Sequence, residues 1–186
     1  MTSELSSASI AERLRAQFPD LDPEVGPNWV RFGSASVLDV CRFVRDDPEL
    51  DFVYLTCLTA VDQLDFFEIV YHLQSLRRNH IGVIKAKVDR EQATLPSVSS
   101  VWYGAHLQET EAYDLMGIRF EGHPNLRRIF LWEGFAGWPL RKDFLQVERG
   151  AFKPGLPYFP KEGGERPILS GPNWTAPPPA PRRSEG

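Results

Sequence analysis

Ile84, Ala86 and Val88 alternate with Lys85, Lys87 and Asp89, a period of two that predicts a strand with one wet face. Upstream, Phe66–Gln74 places Phe67, Ile69, Tyr71 and Leu73 on one side. Phe52–Thr59 is rich in the β-branched and aromatic residues that suit a pleated surface. The links Ala60–Asp65 and Ser75–Asn79 are short and polar, so the three strands are expected to form an antiparallel meander.

Elsewhere the period is helical. Ile10, Leu14 and Phe18 share a face behind Ser9 and Glu12, which have capping-box spacing, and Pro19 closes that helix. Gly26 and Pro27 break the chain before a short apolar stretch at Trp29 and Val30. A second helix starts at Ser36, turns Val37, Val40, Cys41 and Val44 inward, and ends at Asp46-Asp47-Pro48. Thr94–Ser100, with Pro96 and three serines, predicts a loop. From Val101 to about Met116, the residues Trp102, Ala105, Glu109, Tyr113 and Met116 form one stripe, and Gly117 supplies the stop.

These elements define an α+β class: an antiparallel or mixed sheet of about four strands, two N-terminal helices and one further helix packed on it. The domain is expected over residues 1–148. Nine of the sixteen prolines follow Gly150, so residues 149–186 predict an extended Pro-rich arm, its end disordered. Phe152, Tyr158, Phe159, Ile168, Leu169 and Trp174 are apolar anchors, for a partner's surface or the arm's own domain.

Composition narrows the function. With 42% hydrophobic residues and twelve Phe, the 186-residue chain can bury a real core. A net charge of -4 gives no reason to expect nucleic acid, and the pairs Arg77-Arg78 and Arg127-Arg128 are too small for a nucleic-acid footprint. No apolar run approaches the roughly 20 residues of a membrane span. The acidic, polar start reads as neither signal nor transit peptide. Cys41 and Cys57 read as core residues in a reducing compartment, and two thiols cannot ligate an iron–sulfur cluster.

The densest chemistry lies between Glu109 and Phe130. Glu109 and Glu111 stand roughly 200° apart around a helix, so they cannot converge on one ion. His106 and Glu109 could share a face, and with His123 they make the best metal-enzyme alternative, but no second His-x-x-x-His pair supports it. Neither a Gly-x-Ser-x-Gly elbow nor a glycine-rich phosphate loop is present. The remaining reading is mechanical. Glu109, an acid on an apolar stripe, needs a cation, and Asp114 near the helix C-terminus needs another; Arg127, Arg128, Arg141 and Lys142 are the candidates. Gly117 and Pro124 shape the turns around His123, giving a rigid docking face or simply a locked domain.

The run from Trp102 to Ile129 resembles the signature of the thirty-kilodalton subunit family of respiratory complex I, the NADH-quinone oxidoreductase. Glu109, Glu111, Tyr113, Asp114, Gly117, Phe120, Gly122, His123, Pro124, Asn125, Leu126, Arg127 and Arg128 match its pattern. Pro139–Phe144 resembles its closing motif. Two positions depart: Thr110 stands where the family carries Arg, and Leu107 where it carries Trp.

The resemblance implies a non-catalytic scaffold with no cofactor or metal of its own, inactive when isolated. It would be peripheral on the cytoplasmic side of the cell membrane, packed on the neighbouring subunit (the one designated D) that bears the quinone site. FMN, iron–sulfur clusters, NADH and quinone would be bound by partner subunits of a proton-translocating enzyme. Glu109, Glu111, Tyr113, Asp114, Gly117, His123, Pro124, Arg127, Arg128, Arg141 and Lys142 would shape its interface. The alternative is the homologous subunit of an energy-converting membrane-bound hydrogenase or related dehydrogenase.

Overall fold

The computed structural model describes residues 2–132, 135 and 137–144, so the 148/149 boundary and the Pro-rich arm lie outside the described residues. The elements run β1 (Ser3–Glu4), α1 (Ser7–Gln17), β2 (Glu24–Val25), β3 (Val30–Gly33), α2 (Val37–Asp46), β4 (Tyr54–Asp62), β5 (Phe66–Ser75) and β6 (His80–Asp89). They continue with β7 (Thr94–Pro96), α3 (Ala105–Met116) and β8 (Arg119–Glu121). The fold is α+β with a mixed sheet.

The meander is present. β5 pairs antiparallel with β4 on one side and β6 on the other, with Val70 opposite both Thr59 and Lys85. Across β6 the sheet turns parallel: β1 pairs with its first two residues and β3 with Ile84–Lys87, while β2 adds antiparallel to β3. Phe67, Ile69, Tyr71, Ile84, Ala86 and Val88 are fully buried, in one core with Leu14 of α1, Val40 of α2 and Ala105 of α3. At roughly 1.5–3 kcal/mol per large buried side chain, this shared core orders the elements far more than local propensity does.

The opposite face is polar but not simply wet. Glu68 is buried there under Arg31 (3.0 Å) and Lys85 (2.8 Å), which reach it from β3 and β6.

Several local expectations are corrected. α1 begins at Ser7, before the expected capping box, and the Ser7 hydroxyl donates to the Gly26 carbonyl at 2.7 Å. Thr94–Pro96 is a strand pairing parallel with β8, not loop. α3 begins at Ala105, after a turn in which the Val101 and Trp102 amides donate to the Val98 carbonyl. Cys57 is exposed rather than core, because a bulge between Leu55 and Cys57 reverses the alternation and turns Leu58 inward instead. His80 is buried against the Leu50 carbonyl, whereas His72 is exposed.

Candidate functional site

The site is the unit α3–β8 with the turn that follows. The indole of Trp102 donates to the Phe52 carbonyl at 3.0 Å and ties the turn before α3 to the segment leading into β4. At the other end Gly117 adopts φ 71°, the left-handed cap that returns the chain into β8. A Cβ at Gly117 would also run into the Trp138 ring, which lies 6.0 Å from that of Tyr113.

Pairing of β7 with β8 brings Ser97 and Val98 against the buried side of α3. Glu109 meets them there. Its carboxylate accepts from the Ser97 hydroxyl and the Val98 amide, both at 2.6 Å, and it is fully buried. The expected cation is absent from this contact. With two neutral donors and no positive charge, burial dominates and pushes the Glu109 carboxyl up to about 7, against the pull of Ser97 and Val98. The neighbouring thiol of Cys41 and phenol of Tyr71 are also fully buried and shifted upward by that burial.

Asp114, equally buried, is treated in the opposite way. One oxygen accepts three successive amides, from Ile129 (2.9 Å), Phe130 (2.7 Å) and Leu131 (3.0 Å). The other accepts from Arg128 at 3.2 Å. Burial raises its carboxyl, but the three amides and Arg128 outweigh it, so Asp114 lies below the usual carboxylate range. A cation at Asp114 follows from its place near the helix C-terminus; the three amides could not be foreseen, because they depend on how the later turn curls.

His123 sits under the helix start. Its Nε2 donates to the His106 carbonyl at 2.9 Å, its Nδ1 accepts from the Asn125 amide at 3.1 Å, and its ring lies 4.5 Å from that of His106. Burial, first, and the charge of His106 hold its pKa below the usual value. Gly122 has φ 79°, which permits the turn, and Pro124 is exposed. His106, Glu109 and His123 therefore do not converge, since Glu109 turns inward to Ser97. Among the described residues no group of three or more His, Cys, Asp or Glu could hold a metal.

The basic residues divide. Arg128 meets Asp114 and lies over Trp138 at 4.6 Å. Arg141 donates from Nε to the Met116 carbonyl at 2.7 Å, capping the end of α3. Lys142 contributes its amide, 3.0 Å from the Asp62 carboxylate, while its side chain is exposed. Arg127 is exposed and makes no hydrogen bond or ion pair among the described residues. Glu111 is exposed too.

Sequence reasoning missed Asp62, Arg90 and Asp143. Asp62 accepts from Arg90 (2.9 Å) and from the Leu64 and Lys142 amides. Arg90 also reaches Asp143 at 3.0 Å. Burial raises the Asp62 carboxyl, but these donors outweigh it and draw it down to about 2. No local pattern marks this cluster, since its members come from three distant stretches.

In this unit the two buried acids of α3, Glu109 and Asp114, are held by donors from the domain itself, which defines a class of module whose charged helix serves its structure. The chain belongs to the family described as respiratory-chain NADH dehydrogenase, 30 Kd subunit, which matches residues 30–149. It is 42% identical over 156 residues to the NADH-quinone oxidoreductase subunit designated C of Roseiflexus sp. (strain RS-1), covering 80% of this chain and 90% of that one. It is 46% identical over 111 residues to the subunit designated C 2 of the same enzyme of Rhizobium meliloti (strain 1021), covering 58% of this chain and 60% of that protein. In fold it is similar to a chain of the membrane-bound sulfane sulfur reductase, an archaeal respiratory membrane complex, with a TM-score of 0.60 and 22% identity. That match covers 75% of this chain and 86% of the other.

Proposed function

We propose that the chain is a non-catalytic scaffold subunit in the peripheral arm of a proton-translocating NADH:quinone oxidoreductase. FMN and iron–sulfur clusters in partner subunits carry electrons from NADH to quinone, and this chain packs on the partner that holds the quinone site. It binds no cofactor itself and is inactive alone. It lies peripherally on the cytoplasmic side of the cell membrane; no helix among the described residues is long and apolar enough to cross a membrane.

One observation carries the reading. Glu109 and Asp114, the buried acids of α3, spend their oxygens on internal donors and none on a cavity where substrate could sit. Their work is to hold shape.

Asp114→Asn is expected to lower the amount of assembled complex in membranes while turnover per assembled complex stays unchanged. Arg127→Ala, at an exposed position, separates lost docking from lost folding. Normal assembly with slow turnover per complex would refute the scaffold role. The same co-purification identifies the partners, and hydrogenase subunits in place of NADH-oxidising ones would favour the alternative.

A further inference from the structure

Three large apolar side chains around the outer flank of α3 face solvent: Leu107 (66% exposed), Phe130 (63%) and Leu140 (57%). Each is held there by contacts that serve something else. Leu107 lies on the helix one turn before Glu111. The Phe130 backbone is pinned by Asp114, which lies three residues beyond Glu111 on the same flank. Leu140 is fixed by its amide on the Leu115 carbonyl (3.1 Å) and lines a small hollow together with Glu111, Ala112 and Leu115.

Glu111 thus stands at the centre of an apolar surround. It is exposed and makes no hydrogen bond or ion pair among the described residues, unlike Glu109 and Asp114. Exposed apolar groups gathered in this way mark a surface that something covers. Whatever covers Leu107, Phe130 and Leu140 also takes Glu111 out of water. A carboxylate desolvated without a donor is strongly unfavourable, so the covering surface must bring one.

We infer that this flank of α3 receives a segment of a partner subunit that presents a basic side chain, between apolar ones, to the Glu111 carboxylate. The inference rests on the docking reading above and makes it specific. Among the described residues no cation pairs with Glu111: Arg128 is taken by Asp114, and Arg141 by the Met116 carbonyl.

The test uses the tagged full-length chain, recovered from solubilised membranes and washed with rising sodium chloride, with retained redox subunits measured per chain. Glu111→Gln should release its partners at lower salt, with apparent affinity reduced on the order of tenfold. Glu111→Lys should lose more, and Glu111→Asp should keep most of the binding. Because Glu111 faces solvent, thermal unfolding of these variants should match the unaltered chain. Should Gln and Lys bind normally while Leu107→Asp and Phe130→Asp detach, the basic contact is overturned and the docking reading stands. Should all four bind normally, this flank is no interface and the inference is overturned, while the docking reading stands on another surface. Should the unaltered chain retain no redox subunits, the docking reading itself fails.

Discussion

Glu109 and Asp114 sit on the same helix, both fully buried, yet their surroundings push their carboxyls in opposite directions. The difference is donor supply: two neutral donors at Glu109, three amides and a guanidinium at Asp114. This yields a signed pH dependence. Glu109 titrates at about 7 folded against 4.5 as a free group, so the folded state binds the extra proton between those values. Its contribution to stability is full below pH 4.5 and is lost as pH rises through 7, a change on the order of 3 kcal/mol. Denaturant unfolding at about pH 5 and about pH 8 should show this loss, and Glu109→Gln should flatten it. Asp62, with its carboxyl near 2, acts in a separate window: its contribution is present above about 4 and is lost as pH falls through 2.

Among the elements, those with a strong internal period were legible from sequence: the meander, the inward face of α2 and the Gly117 stop of α3. What escaped was set by distant partners. The parallel pairing of β3 on β6, and of β7 on β8, joins stretches separated by other elements, and short strands carry too little pattern to announce it. Cys57 was misplaced because one bulge reverses an otherwise sound alternation. From its place on an apolar stripe Glu109 was expected to meet a cation; a serine and an amide meet it instead, which depended on β7–β8 pairing. The Gly117 cap gives the element-scale prediction. Gly117→Ala meets both a positive φ and the Trp138 ring, so it should destabilise the domain by about 1–3 kcal/mol. Thermal unfolding of the purified variant would measure it.

For the whole molecule, Asp62 and Arg90 are the tie between the sheet and the closing segment. Asp62 ends β4 and Arg90 follows β6, and together they hold the Lys142 amide and Asp143. Arg141 adds its bond to the end of α3 and lies 4.9 Å over the Phe67 ring. Asp62→Ala should release this segment, so trypsin should cut after Arg141 and Lys142 several-fold faster, while protection of the β5 amides persists. Unchanged cleavage there would mean that the Arg141 contacts suffice.

The outer strand β4 carries one more device. Its Leu58 amide, on the side away from β5, donates to the Gln108 side chain of α3, and the bulge nearby breaks the regular ladder. An added strand, whether from a second copy or a misfolded neighbour, finds that rung already taken. Newly made chains waiting for their companions are thereby spared one route to clumping.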